Sequence, residues 1–465
     1  MDMTVRQGRR PGAKARHRYR AAAAALATAG TGLCALILPA SAAAQAAAAI
    51  APLTAPAMVP MNALNAADTG WLMVCTALVL LMTLPGVALF YAGMVRRKNV
   101  LNTLASVLLV ACVVSVLWFA AGYSLAFTPG DGILGGFSRL GFAGLDPDWA
   151  GQRVSVSHMA PNVPEAAFAM FQLSFAVITA ALLVGALVER MRFTALLVFI
   201  ALWTLAVYVP VAHWVWEPGG WLARLGALDF AGGTVVHVNA GAAGLACAWY
   251  LGPRQGYGRE AFEPYNLGWT MLGASLLLIG WFGFNAGSAL AADSRAALAL
   301  AVTHLAAAGG ALGWLIAEWL LRRRASLLGL CSGLVAGLVA ITPAAGYVGL
   351  GPALLIGLIA GAICYWGATG LKRALGADDA LDVFGVHGVG GIVGSLLTGV
   401  FASRTIAGVQ GQIGTQMLTV LVVAVFSFVA TGVLLWLTDR LVGLRVSDAS
   451  EQTGLDLSLH RERLG

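Results

Sequence analysis

From about residue 70 to residue 438 the chain is a succession of apolar runs, each long enough to cross a bilayer as a helix, separated by short polar breaks. Lipid offers a backbone no hydrogen-bond partners, so a spanning segment must satisfy its own amides as a helix or join a closed barrel. The ten-residue alternation of a barrel strand is absent, and the runs exceed the roughly 20 residues a helix requires. Composition agrees: 59% of the 465 residues are apolar, 11% are charged, and the mean hydropathy is +0.82. A soluble globule of this make-up lacks the polar surface to stay dispersed. The fold class is therefore an all-α integral membrane protein.

The apolar runs and their breaks place eleven spans, near 70–94, 100–127, 166–188, 194–215, 231–252, 267–290, 296–321, 327–343, 351–371, 383–402 and 415–438. The net charge of +7 does not point to nucleic acid, because Arg6, Arg9, Arg10, Lys14, Arg16, Arg18 and Arg20 crowd the first 20 residues. An alanine-rich run follows from Ala21 to Leu38, then small residues at Ala40 and Ala42 or at Ala44 and Ala46. That is the plan of a cleaved signal peptide over 1–46, with an uncleaved first helix as the competing reading. It leaves an external segment over 47–68, a transmembrane domain over 69–440 and a cytoplasmic tail over 441–465. With the mature amino terminus outside, the inner loops and the stretch after the last span as far as Arg445 hold 14 basic residues, among them Arg96, Arg190, Arg254, Arg322, Lys372 and Arg445, and the outer loops hold five: Arg139, Arg153, Arg224, Arg295 and Arg404. The positive-inside rule then puts the carboxyl end in the cytoplasm, beneath a bacterial inner membrane. The outer loop at 128–165 caps the external mouth. Cys34, Cys75, Cys112, Cys247, Cys331 and Cys364 lie far apart in apolar runs, as small core residues and not as disulfides or a metal site.

Ten spans divide into two sets of five, and an odd number per set turns the second upside down relative to the first. The fifth and tenth spans are both glycine-rich around one histidine: GGTVVHVNAGAAG holds His237 and GVHGVGGIVG holds His387. A charge at the centre of a membrane helix costs roughly 2.5–3.5 kcal/mol on insertion scales, so such residues face a cavity or a partner. Two histidines at equivalent places in a repeat meet near its axis and share one proton. His213, near an outer helix end, and His304, beside Thr303, are the other candidates. FQLSF puts Phe171 and Phe175 four apart on one helix face, and GWFGFNAGS holds Trp281, Phe284 and Ser288. By spacing alone these rings read more readily as core packing than as a binding box.

The stretch HWVWEPGGWLARLGALDFAGGTVVHVNAGAAG, from His213 to Gly244, together with GWFGFNAGS and DVFGVHGVGGIVG, closely resembles the ammonium transporter family of bacterial Amt and, more distantly, Rhesus proteins. The likeness runs from about Gly70 to Ser458. It implies an eleven-span inverted-repeat fold plus final helix, a homotrimer with one path per subunit, no cofactor and no enzyme activity. It also implies substrate binding by Phe171, Trp216 and Ser288, with Asp229 holding the vestibule and the next helix start, and a gate of Phe175 and Phe284. Trp281 would line the pore and His237 and His387 would relay the proton. The tail from Val442 through Ser458 resembles the family's contact region for PII-type regulators. Leu173 and the Glu217–Pro218 pair depart from the commoner pattern and alter the vestibule's shape.

A bare ammonium ion in low dielectric faces a Born cost of tens of kcal/mol. Taking a lysine amine as a stand-in, losing the proton at pH 7 costs about 4.6 kcal/mol. The expected mechanism is capture of the cation, deprotonation near the gate and passage of neutral ammonia. The alternatives are an ammonium sensor using the same pore, made less favourable by the roughly 25 residues after Arg440, and a bis-histidine haem protein. No Walker-type loop is present to couple ATP.

Overall fold

The structure, a computed structural model, describes residues 53–465. The leader expected over 1–46 and the start of the external segment lie outside the described residues. The described chain forms a helical bundle with the element order β1 (Ala57–Pro60), α1 (Ala66–Met94), α2 (Arg97–Phe127), β2 (Arg153–Val156), α3 (Glu165–Leu187), α4 (Phe193–Arg224), α5 (233–251), α6 (Leu267–Gly287), α7 (Ser294–Arg322), α8 (Leu327–Ile341), α9 (Leu350–Leu375), α10 (Val383–Phe401) and α11 (Ile413–Leu441). Among the described residues nine of these are long and apolar enough to span a membrane. The two exceptions fall where spans five and eight were expected. In α5, His237, Asn239 and the many glycines dilute the apolar content, and α8 has only 15 residues.

Side chains at the helix starts take up amides that no carbonyl inside the helix can reach. Asn65 accepts from Ala67 and Asp68 at α1, Asp293 from Arg295 and Ala296 at α7, and Ser326 from Gly329 at α8. Pro85 interrupts α1 within a π-type turn over Met82–Val87, because proline has no N–H to give the ladder. Helix α3 occupies the centre, with 89% of its apolar window buried. At its start Glu165 is fully buried, accepting from Arg139 and from the Tyr123 hydroxyl. This pair, and the antiparallel pairing of Ala57–Pro60 with Arg153–Val156, fasten the 128–165 loop to one end of the bundle.

The opposite end is fastened by buried charge. Arg190 lies 2.8 Å from Asp378, Arg254 bridges Asp378 at 2.8 Å and Glu189 at 3.1 Å, and Arg96 reaches Glu189 at 2.8 Å. The short helix α12 (Asp448–Thr453) and its flanks are strapped beneath this cluster. Arg445 donates to the carbonyls of Leu251 and Pro253 and pairs with Glu451, Lys98 donates to the carbonyls of Glu451 and Gln452, and Asp456 accepts the amides of Leu101 and Asn102. The tail is thus a packed part of the fold.

Burial alone pushes the Asp378 carboxyl up, but the Arg190 and Arg254 guanidiniums outweigh it and hold the group at about 2. A carboxyl held below its unfolded value of 3.8 contributes stability that is complete above that value and lost as pH falls toward about 2. Replacing Asp378 with Asn leaves Arg190 without an anion and Arg254 with Glu189 alone. The expected loss is about 3–5 kcal/mol, seen as a lower melting temperature in detergent, of the same size from pH 5 to pH 8. A variant that melts with the wild type would show that the cluster does not hold this end together.

Candidate functional site

Two helices of the bundle begin deep inside it, and their free amides need acceptors where no water is at hand. Ahead of α5, Asp229 supplies them: Oδ1 accepts from Gly232 and Gly233 at 2.9 and 2.6 Å, and Oδ2 from Thr234 and Val235, both at 2.9 Å. Ahead of α10, Asp379 accepts from Phe384 at 2.7 Å, while its buried Oδ1 has no partner. Burial pushes the Asp379 carboxyl up to about 6, with Lys372 opposing and Asp382 adding to the rise. Both aspartates stand eight residues before a histidine, His237 and His387.

The two helices cross at glycine. A Cβ on Gly241 would lie 2.2 Å from the Cα of Gly388, and one on Gly391 would lie 2.9 Å from the amide of Val238. The two contacts interchange on exchanging the helices, as a local twofold axis requires. This close approach sets the Nδ1 atoms of His237 and His387 3.3 Å apart with their rings at 21°. One Nδ1 donates and the other accepts, so the imidazoles hold different tautomers. His237 is 1% and His387 5% exposed.

Above and below the pair the molecule opens. Toward the 128–165 loop lies a cavity of about 280 Å³ lined by Gln172, Phe175, Trp216, Asp229 and Ser288, with Arg295 at its rim. The indole of Trp216 donates to the carbonyl of Asp229 at 2.9 Å, which fixes its face toward the cavity wall. The hydroxyl of Ser288 donates to the carbonyl of Phe284 at 2.9 Å, leaving its lone pairs to accept. The floor is the stacked pair Phe175 and Phe284, centroids 4.2 Å apart at 20°. Beneath the rings a space of about 10 Å³ is lined by His237, His387, Trp281 and apolar side chains, room for about one water. Trp281 stacks on His237 at 5.3 Å and donates to Thr342 at 2.8 Å. His387 also lines a third cavity, of about 170 Å³, with Glu318, Tyr365 and Asp382 on the side of the charged cluster.

The residues read from the sequence therefore lie in series: Trp216, Ser288 and Asp229 on the outer cavity, Phe175 and Phe284 across its floor, then Trp281, His237 and His387. Phe171 does not line the cavity. It packs against Gly287 and sets its edge on Phe175 at 4.9 Å. His213 lies apart, bonded to the carbonyl of Ala126, and His304 sits on an exposed helix face. Sequence reasoning missed Gln172, Thr342 and Asp379, although the last shares with Asp229 its eight-residue distance to a histidine. The space at the imidazoles is far too small for a haem. Among the described residues no group of three metal-ligating side chains is found.

A multi-pass membrane protein with an aromatic cavity, a floor of stacked rings and a buried histidine pair is the class that fold and site define. The chain matches the Ammonium Transporter Family over residues 70–464 and belongs to it. It is 47% identical over 411 residues to a putative ammonium transporter of Methanothermobacter thermautotrophicus and 45% identical over 409 residues to an ammonium transporter of Bacillus subtilis, each match covering 86% of this chain and 98% of the relative. Among solved structures it resembles Mep2 of Candida albicans, at 36% identity and a TM-score of 0.78, covering 84% of this chain and 89% of that one. A sensor Amt protein also resembles it, at 30% identity and a TM-score of 0.77, covering 86% of this chain and 98% of that one.

Because all four amides at the start of α5 rest on one carboxylate, Asp229→Ala is expected to cost at least about 3 kcal/mol and to lower the amount of folded protein. Asp229→Asn, which keeps one carbonyl, is expected to lose less. Equal melting temperatures for wild type and Asp229→Ala would remove the aspartate from this role.

Proposed function

We propose that this protein carries ammonium across the membrane, capturing the cation at the outer cavity and passing neutral ammonia along the histidine pair. The observation that carries the reading is the succession of an aromatic cavity, a stacked phenylalanine floor and two buried imidazoles in contact. A cation is attracted to aromatic faces by roughly 0.5–2 kcal/mol each, and Trp216 presents such a face beside the free lone pairs of Ser288. The stacked rings exclude a hydrated ion. Below them few fixed charges offset the cost of a bare cation, whereas giving up the proton costs about 4.6 kcal/mol with a lysine amine as the stand-in. The imidazole pair then serves as the acceptor and relay for that proton, giving net charge movement.

In the same reading the nine long helices, α5 and α8 make eleven spans, arranged as two inverted five-helix repeats and a final helix. The reciprocal glycine contacts of α5 and α10 support this arrangement. The 14-to-5 excess of basic residues favours a bacterial inner membrane with the amino end outside, following a cleaved leader, and the carboxyl tail in the cytoplasm. Family membership favours a homotrimer, and the strapped tail offers the surface on which a PII-type regulator would act. The sensor alternative uses the same cavity; the higher identity to proteins named transporters favours transport.

Cells lacking other ammonium transporters should regain growth on low ammonium at acidic pH when they express this chain, because free ammonia is then too scarce to enter by diffusion. Normal expression with neither rescue nor flux would contradict transport. Trp216→Leu removes one cation-binding face and should raise the KM for ammonium roughly twofold to thirtyfold, with folding retained. An unchanged KM would take Trp216 out of the capture site.

A further inference from the structure

Behind the wall of the outer cavity lies a contact that the transport chemistry does not use. His158 sits in the tight turn that follows β2, where the amide of Ala160 donates to the carbonyl of Ser157 and the amide of Met159 to the Ser157 hydroxyl. Its Nε2 meets Oε1 of Glu217 at 3.1 Å, and the two side chains are 4% and 3% exposed. The other oxygen of Glu217 accepts the amide of Gly219, while Nδ1 of His158 is buried without a partner. Each member adjoins a residue of the cavity wall: Met159 follows His158, and Trp216 precedes Glu217. The contact therefore joins the 128–165 loop to the wall that carries the capture site.

We propose that His158 and Glu217 form a titratable clasp over the outer cavity, setting how strongly a small cation is drawn to Trp216 and weakening that pull when the outside turns acid. This rests on the capture site proposed above. With a neutral imidazole the clasp carries one negative charge. With an imidazolium it carries none, so the field at Trp216 changes by a whole charge. Histidine is the side chain that makes this change between pH 5 and pH 8. The other charged groups around the clasp come from four segments. On α4 they are His213, whose charge acts on Glu217, and Arg224, whose guanidinium lies against Gly219. The turn at 131–134 brings Asp131, which already accepts the amides of Ile133 and Leu134. Across the cavity are Asp229, its oxygens taken by four amides, and Arg295. None of these groups is in hydrogen bond with both members of the clasp.

The test is the KM for ammonium in proteoliposomes holding the purified full chain, measured at external pH 7.5 and 5.5 with internal pH fixed, a range over which the substrate stays protonated. In the wild type KM should rise roughly threefold to tenfold on acidification, the effect of one charge across a partly solvated wall. His158→Gln keeps a donor for Glu217 but cannot titrate, so its KM should be flat at the wild type's pH 7.5 value. Glu217→Gln removes the negative charge itself, so its KM at pH 7.5 should lie above the wild type's. A flat wild-type profile overturns the proposal without any variant, and so does a full pH slope in His158→Gln or a Glu217→Gln KM equal to the wild type's at pH 7.5. None of these outcomes touches the capture site itself, which stands or falls on the KM of Trp216→Leu.

Discussion

Two buried aspartates set the terms for the centre of this molecule. A helix that begins within a lipid-embedded bundle exposes amides where unsatisfied polar groups are most costly, and each of α5 and α10 has an aspartate to receive them. Because each histidine follows its aspartate by eight residues, fixing the helix starts also fixes the imidazoles. Glycine at the crossing does the rest: with a Cβ at Gly241 or Gly391 the helices could not approach closely enough for a 3.3 Å contact. The two caps are not equivalent. Asp229 is fully satisfied on the side of the outer loop, whereas Asp379 keeps one oxygen unpaired near Lys372 and Asp382.

Around that centre the path is graded in polarity. A roomy cavity with aromatic faces and hydroxyl lone pairs suits a small cation with many donors. The stacked rings at 4.2 Å and the space of about 10 Å³ below suit a molecule no larger than water. Rigid supports hold both: Trp216 is anchored on Asp229 and Trp281 on Thr342. The two indoles are thus held in place by hydrogen bonds to neighbouring segments.

Much of this was legible in the sequence, because residues a few places apart on one helix carry it. FQLSF, GWFGFNAGS and the two glycine-rich histidine segments named Phe175, Phe284, Trp281, His237 and His387, and the structure brings these residues together along one line. What escaped depends on contacts between distant segments. Phe171 shares a helix face with Phe175, yet Gly287 of α6 leaves a recess that draws it out of the cavity. The anchoring of the 441–465 tail is of the same kind, since Lys98, Arg445 and Asp456 strap it to segments far away in sequence. Hydropathy places a span at α5 only by its pattern, since the residues that give it a role also lower its apolar content.

The most direct test of the central claim, that proton and ammonia part at the imidazole pair, is the current evoked by an ammonium pulse on a membrane containing the purified protein. Wild type is compared with a variant in which both His237 and His387 are replaced by Leu, with melting temperature measured on the same preparations. The expected result is a transient current in the wild type that is abolished or sharply reduced in a double variant that melts normally. Wild-type currents in that stable double variant would contradict the claim.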